Sequence, residues 1–525
     1  MGKTIEINLE AKESTVYISK KYNSVSAYTY NGNIPGPTIR AKVGDTIIVN
    51  FINNLNEPST VHWHGIDSPA INDGSTISQV HIVPGDSYQY KFKVDRAGTF
   101  WYHAHVLTFH QLHKGLYGAI VVEDPKEECL NIPKKSTVLI LGDAKFKNKH
   151  EFDTTFSTNP IEGGETRFNG RIGKVLLVNG IHKPEIKLCG KNPQRLRLIN
   201  VANSRFMRVD IPCHKMWRIG GDGGLLESPI KVIPIMGDKD KDPSHGILLT
   251  PGERADIVFI PKYTNKSDTA FLKWYDLPRG LHKLSFGKDE TCHPVLKVGD
   301  DEEDGNAPSK VMAVFKYCCK SHENSEYNPP EYLRVIKKIE VNNSTPVLPI
   351  LYGHMPPTVD GNVVFFGSPK PFLPGMLGPK PFEELLKLPE QMPKFKPNDT
   401  IILKIINASG ADHNYHIHGF PFQLIKTSDE INGKEINVVY APYLEDKDTI
   451  FIKKRPGPFG TKTFTYLALK FSLLGRTPSE LVASGGFPTI KCKGEGENRS
   501  GGWMFHCHID EHIFLGMGGY IQIEL

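Results

Sequence analysis

Near its C-terminus the chain reads His506-Cys507-His508-Ile509-Asp510-Glu511-His512, with Met517 ten positions beyond the cysteine. A thiolate, an imidazole and a distant thioether are the donors of a trigonal blue-copper electron-transfer site, and Cys507, His512 and Met517 occur in that order. A third strong ligand must come from elsewhere. If residues 503 to 508 form a strand, its two-residue period sends Cys507 to one face and His506 and His508 to the other. One backbone would then join two metal sites.

Partners for those two histidines lie far upstream, in His62-Trp63-His64, His103-Ala104-His105 and His413-Asn414-Tyr415-His416-Ile417-His418. Each run holds a His-x-His. On an extended segment the middle residue faces away and both imidazoles converge on one metal cluster. Four pairs result, and His413, left over three residues before its pair, is the natural missing ligand for the blue site. Scattered structural histidine is the competing explanation. With 21 His in 525 residues, four such pairs beside a His-Cys-His would be a very rare accident.

The elements that must carry these residues read as strands. Glycine (48) and proline (39) are plentiful and long amphipathic helical patterns are scarce, which favours an all-β chain. Residues 39 to 52, 89 to 93, 195 to 201 and 255 to 260 pattern as strands, with turns at Asn31-Gly32, Pro84-Gly85 and Ala97-Gly98. The length suits three domains, placed at 1–135, 136–317 and 333–525 with a polar linker at 318–332. Residues 238–244 and the acidic run 300–304 read as solvated loops, and the proline-rich stretch 370–397 as an irregular cover. The first domain supplies four paired histidines and the third supplies the other four, so they must meet at an interface. The middle domain has no cluster; its expected roles are to hold the others in register and to wall a substrate groove.

A net charge of +5 with interspersed signs gives no footprint for nucleic acid or a membrane surface, and no apolar run is long enough to span a bilayer. Residues 1 to 15 lack an apolar signal core. Asn-x-Ser/Thr sequons at Asn265, Asn342, Asn343, Asn398, Asn407 and Asn498 permit glycosylation in a secreted setting. Of eight cysteines, seven remain after Cys507, so at least one is unpaired within the chain.

The histidine runs, with Pro35-Gly36-Pro37, Gly44-Asp45-Thr46, Leu177-Val178-Asn179-Gly180, Pro251-Gly252-Glu253-Arg254 and Asp448-Thr449, resemble the multicopper oxidases over nearly the whole chain. The resemblance implies three cupredoxin-like Greek-key β-barrels and four coppers per chain. His413, Cys507 and His512 would bind the type 1 copper with Met517 axial, an arrangement implying a low-to-middle potential. His62 and His416 would bind type 2 copper; His64, His103 and His508 one type 3 copper, and His105, His418 and His506 the other. A reducing substrate would deliver electrons at the surface-facing imidazole of His512 or His413, and Cys507 would pass them through its backbone to the cluster that reduces dioxygen to water. Asp73 matches a family aspartate and would relay protons. Ile513 replaces the glutamate some bacterial relatives place there, leaving Asp510 and Glu511 as substitutes or as hydrogen-bond acceptors for the ligands.

Cys129 and Cys213 occupy positions similar to a laccase disulfide. A laccase-like oxidase of phenols and aromatic amines, monomeric and extracytoplasmic, is the expected function. The rivals are a metallo-oxidase acting on Fe(II), with Glu445, Asp446 and Asp448 as metal-facing carboxylates or else a solvated surface run, an ascorbate or bilirubin oxidase, and a non-catalytic copper-binding or electron-transfer protein.

Overall fold

A computed structural model describes residues 2–75, 77–156, 166, 169–188, 192–261, 269–279, 283–288, 294–299, 307–317, 327–352, 394–457, 460–482, 502–514 and 517–525. The acidic run 300–304, most of the 370–397 stretch and part of the 318–332 linker lie outside them.

The chain is all-β, in three sandwiches that follow one another along the sequence. In the first, the long strand Thr4–Val16 pairs with Val25–Tyr30 and in parallel with Thr46–Asn54, which in turn pairs with Ser87–Lys93. Facing it is a four-stranded sheet in the order Ile39–Lys42, Tyr117–Glu123, Gly98–Ala104, Val61–His64. The alternation read over 39 to 52 is thus two strands in different sheets, broken at Gly44, whose φ of +94° suits glycine. The middle sandwich sets a six-stranded sheet containing Gln194–Asn200 and Arg254–Phe259 against a five-stranded one. The third sets Val347–Tyr352, Thr400–Asn407, Lys462–Lys470, Phe422–Ile431 and Lys434–Tyr440 against Lys394–Phe395, Gly518–Ile523, Trp503–His506, His413–Ile417 and Thr449–Ile452.

Each sandwich closes over its own apolar core. Leu9, Val49, Trp63 and Tyr102 belong to the first, Leu198, Ile257 and Trp274 to the second, Leu403, Tyr415, Leu467 and Trp503 to the third. Alternation decides which side chains go in: along Thr400–Asn407, Ile401, Leu403 and Ile405 are buried while their neighbours are half-buried. Each buried Leu, Ile or Phe contributes about 1.5–3 kcal/mol relative to exposure. Past residue 135 the chain also returns to the first sandwich, where Glu151 pairs with Ser26.

Several expectations need correction. The strand drawn over 503 to 508 ends at His506, because residues 507 to 509 bend into the short helix Asp510–Phe514. Cys129 and Cys213 are exposed free thiols. Cys129 closes a 3-10 turn with its thiol on the Lys126 carbonyl at 3.1 Å, whereas Cys213 lies in a left-handed turn with φ +68°. The sequon at Asn407 is sealed, since that side chain is fully buried and donates to the Ala411 and Lys453 carbonyls, both at 3.0 Å. Asn342 and Asn398 are exposed. The 238–244 loop is anchored rather than merely solvated: Asp240 accepts from the buried Arg208 at 3.1 Å and meets His245 at 2.8 Å.

Candidate metal centre

The histidine pairs sit at the ends of two antiparallel strand pairs, one in each outer sandwich. His62 on Val61–His64 is the direct cross-strand partner of His103 on Gly98–Ala104. In the third sandwich His416 on His413–Ile417 faces His506 on Trp503–His506 in the same manner. Trp63 and Ala104, the middle residues of the first two pairs, turn into the apolar core, as the strand period requires.

All eight paired imidazoles are buried and converge. His62 stacks on His418 and His64 on His416, with ring centroids 3.8 Å apart in both cases. Donor atoms lie within 4.8 Å of one another in the sets His62/His64/His416, His64/His103/His508 and His105/His418/His506.

One nitrogen of most rings is tied to the protein, and the tie sets which nitrogen faces inward. His62 Nδ1 donates to the Asp73 carbonyl at 2.7 Å, His103 Nδ1 to the Ala104 carbonyl at 3.0 Å and His416 Nδ1 to the Asp448 carbonyl at 2.9 Å. His418 Nδ1 donates to Asp73 Oδ2 at 2.8 Å, and His506 Nδ1 to the Cys507 carbonyl at 3.0 Å. His64 is reversed: its Nε2 meets Asp448 Oδ1 and Thr449 Oγ1, both at 3.1 Å.

The opposite nitrogens are left with lone pairs. His62 Nε2, His64 Nδ1, His103 Nε2, His105 Nε2, His416 Nε2 and both ring nitrogens of His508 have no hydrogen-bond partner among the described residues. His418 Nε2 and His506 Nε2 face each other at 3.1 Å. Because both rings carry their proton on Nδ1, two lone pairs oppose each other there, and a cation is what suits them. Burial, reinforced by neighbouring imidazoles, holds His64, His103, His105, His416 and His506 well below the ordinary histidine value and His418 at about 4. These six rings are therefore neutral at pH 7, as metal ligation demands. Copper fits this donor set.

The second site lies on the other face of the same backbone. Cys507 Sγ is 3.7 Å from His413 Nδ1 and 3.6 Å from His512 Nδ1. Met517 shares an apolar cluster with Cys507, and the exchange of Cys507 N–H to the Met517 carbonyl (3.1 Å) and Met517 N–H to the His512 carbonyl (2.9 Å) closes the ligand loop. Burial pushes the Cys507 thiol up to about 12, so only a bound cation gives a thiolate there at neutral pH. Neither imidazole faces the surface as expected: His413 is 0 % and His512 1 % exposed. The first lies in mid-sheet beneath the Tyr352 ring, edge-on at 5.4 Å, and the second on a helix that contacts the helix Thr108–Gln111.

Asp73 touches two of the nest's rings, through Oδ2 to His418 and through its carbonyl to His62. Burial opposes its charge, but these histidines hold it well below the usual carboxylate range. Asp510 is buried, neither oxygen accepts a hydrogen bond among the described residues, and Oδ1 lies 3.6 Å from His508 Nδ1. Burial, with Glu511 beside it, raises it well above the usual range. Glu511 turns away to Arg171 at 3.1 Å and Asn203 at 3.3 Å, both from the middle sandwich.

The Glu445–Asp448 run is neither solvated nor available to a metal. Glu445 pairs with Arg218 and approaches Lys447, Asp446 pairs with Arg334 at 3.2 Å, and Asp448 is clamped by Arg254. Sequence reasoning missed Asn414, whose Oδ1 accepts from the His508 N–H at 2.7 Å and from Cys507 Sγ at 3.5 Å. The strand period was the available signal, since it puts Asn414 on the same face as His416. Among the described residues His110 and His113 join no group that could hold a metal; His113 Nε2 meets the Lys145 N–H at 3.3 Å.

Three β-sandwiches in series, with a Cys/His site joined by one backbone to an eight-histidine nest, define a cupredoxin-type fold whose donor sets are compatible with copper. Comparison with known proteins agrees. Two family profiles described as multicopper oxidase match residues 10–127 and 376–456. The chain is 26 % identical to L-ascorbate oxidase of Nicotiana tabacum, over 93 % of this chain and 85 % of that protein. It is 27 % identical to a multicopper oxidase of Staphylococcus epidermidis, over 98 % and 88 %. Among solved structures it superposes on a Campylobacter jejuni multicopper oxidase described as a metallo-oxidase, with a TM-score of 0.68 at 24 % identity over 99 % of this chain and 92 % of that one. A Pediococcus acidilactici laccase gives 0.69 at 23 % over 99 % and 90 %. The chain is thus similar in sequence to multicopper oxidases, which are copper-dependent oxidoreductases, over nearly its whole length, and it shares the three-domain cupredoxin-like fold of its structural neighbours.

Proposed function

We propose that this chain is a laccase-like oxidase that takes single electrons from phenols or aromatic amines and returns four of them, with four protons, to dioxygen as two waters. The observation that carries the reading is the sharing of one backbone: Cys507 lies against His413 and His512, while its neighbours His506 and His508 belong to the histidine nest.

In this reading His413, Cys507, His512 and Met517 would hold type 1 copper, and His62 and His416 would hold type 2. His64, His103 and His508 hold one type 3 copper, and His105, His418 and His506 the other, so the chain takes four. The copper ions supply one-electron exchange at the sulfur site and dioxygen reduction at the nest. The chain's own work is geometric. From Cys507 Sγ the route to either neighbouring histidine runs through covalent bonds of a single peptide unit, and the His506 Nδ1 bond to the Cys507 carbonyl shortens it further. Burial of His413 and His512 keeps an organic donor from stacking on the rings, so the electron crosses a thin layer of protein. Asp73 fixes the inward nitrogens of His62 and His418 and is the carboxylate that moves protons at the nest. Asp510, kept protonated by burial beside His508, is a proton reserve, whereas Glu511 is spent on Arg171.

The metallo-oxidase alternative loses its carboxylates, because Glu445, Asp446 and Asp448 are each matched to a cation. Oxygen uptake by the copper-loaded protein with a phenol, ascorbate and Fe(II) in parallel tests the assignment. Preference for the phenol supports it; Fe(II) or ascorbate faster by tenfold or more overturns it, and no uptake with any donor would indicate a binding protein.

A further inference from the structure

The domain without a histidine cluster nevertheless reaches the nest. Its strand Arg254–Phe259 starts at a buried guanidinium whose donors are all engaged. Arg254 Nη1 and Nη2 grip Asp448 Oδ1 and Oδ2 at 2.6 and 2.5 Å, Nε donates to the Thr99 carbonyl at 3.0 Å, and the remaining hydrogens go to the Gly252 and Asp222 carbonyls, both at 3.0 Å. One side chain of the middle domain thus joins Thr99 of the first to Asp448 of the third.

Asp448 spends its other contacts on the nest. Its Oδ1 accepts from His64 Nε2 at 3.1 Å and from Thr449 Oγ1 at 2.9 Å, and its carbonyl accepts from His416 Nδ1 at 2.9 Å. Thr449 Oγ1 lies 3.1 Å from both His64 Nε2 and His416 Nδ1. Burial opposes the Asp448 charge, and Arg254 restores it.

The turn before Arg254 is equally close. A Cβ on Gly252, where φ is +88°, would fall 2.9 Å from His64 Cε1 and 3.0 Å from His508 Cδ2. The Pro251 carbonyl accepts from Asn414 Nδ2 at 2.7 Å, and Asn414 in turn holds the His508 N–H and the Cys507 thiol. Gly65 answers from the first domain, since a Cβ there would meet Arg254 Nη2 at 2.4 Å and Asp448 Oδ2 at 2.7 Å.

We infer that the Gly252–Arg254 turn of the middle domain is a positioning element of the oxygen-reducing site, with Arg254 acting through Asp448 and Thr449 to orient His64 and His416. The inference rests on the ligand assignment proposed above. Arg254 is a positioning residue, not a catalytic one. It explains why His64 presents Nδ1 inward: the Arg254–Asp448 fork occupies the Nε2 side. Lysine keeps the charge but cannot grip both carboxylate oxygens while reaching Thr99.

The test loads full-length wild type, Arg254→Lys, Thr449→Val and Arg195→Lys with Cu(II), and reads copper content, the blue absorption and the EPR spectrum. Arg195 sits at the same domain seam, paired with Asp256 at 2.7 Å and Glu127 at 2.8 Å, away from the imidazoles. Wild type that binds copper only at the cysteine site overturns the ligand assignment, whatever the variants do. With about four coppers in wild type, Arg254→Lys should keep the blue band while copper affinity at the nest drops about 10- to 100-fold. Arg195→Lys should keep both, and Thr449→Val should keep its copper but change the EPR hyperfine pattern of the non-blue centre. Wild-type copper and spectrum in Arg254→Lys contradict the inference, as do equal losses from both sites or an equal loss in Arg195→Lys. Should Arg254→Lys fail to fold, an unaltered spectrum in Thr449→Val contradicts it.

Discussion

At the scale of single residues, hydrogen bonds decide which nitrogen most of these histidines offer. Asp73 makes two of those bonds, so Asp73→Asn should weaken copper retention or oxygen reduction about 10- to 100-fold while the blue absorption stays intact. Stopped-flow reoxidation of the reduced protein measures this, and wild-type reoxidation would remove Asp73 from the account. The convergence of the histidine runs and of Cys507 with His413 and His512 was legible because those residue types and spacings are rare; the residues that orient them were not. Asp448 looked like one member of a charged surface run because a carboxylate's partners, here Arg254 from 194 positions away, are set by tertiary packing. The surface-facing type 1 imidazoles and the Cys129–Cys213 bridge were mistaken for the same reason, since burial and thiol direction depend on neighbours that spacing does not name.

At the scale of elements, the strand ends place the ligands and the turns after them hold the strands in register. Gly419 directly follows His418, has φ +74°, and a Cβ there would lie 2.2 Å from the Trp503 ring. Gly419→Ala should therefore destabilise the protein by about 1–3 kcal/mol, read as a lower urea midpoint; an unchanged midpoint would show that the turn relaxes freely. Strand period and turn residues made the strands at 89–93, 195–201 and 255–260 readable. The break at Gly44 and the early end at His506 were not, because alternation continues across a corner where the chain changes sheets.

The nest also carries a pH signature. Seven imidazoles of the nest (His64, His103, His105, His416, His418, His506 and His508) and His113 outside it lie below the ordinary 6.5. The unfolded chain takes up those protons near 6.5, whereas the folded, metal-free nest does not until about pH 4, the His418 value. Metal-free protein should lose stability as pH falls from 6.5 toward 4. Asp222 and Asp412, pushed up to about 6 mainly by burial, and Asp210 and Asp510, also raised by burial, act in the opposite sense, but they are four against eight. A urea midpoint at pH 5 equal to or above that at pH 7 would contradict this.

At the scale of the whole molecule, the proposed ligands come from both ends of the chain, residues 62–105 and 413–517, so copper should clamp the first domain to the third. Removing copper with a chelator should lower the thermal midpoint; at free copper a hundredfold above its dissociation constant one site contributes about 2.7 kcal/mol. Coincident melting of loaded and metal-free protein would mean that the nest is held by packing alone. The meeting of the outer domains was legible from the histidine pairs, whereas the part played by the middle domain was not, since Arg254 belongs to no metal-ligand motif.

The central claim is that one strand end feeds two metal sites, and anomalous diffraction at the copper edge tests it most directly. The account predicts four peaks in a loaded crystal, one among His413, Cys507 and His512 and three inside the ring formed by His62, His64, His103, His105, His416, His418, His506 and His508. A peak at the cysteine with none in the nest, or a nest whose imidazoles stand apart, would contradict it.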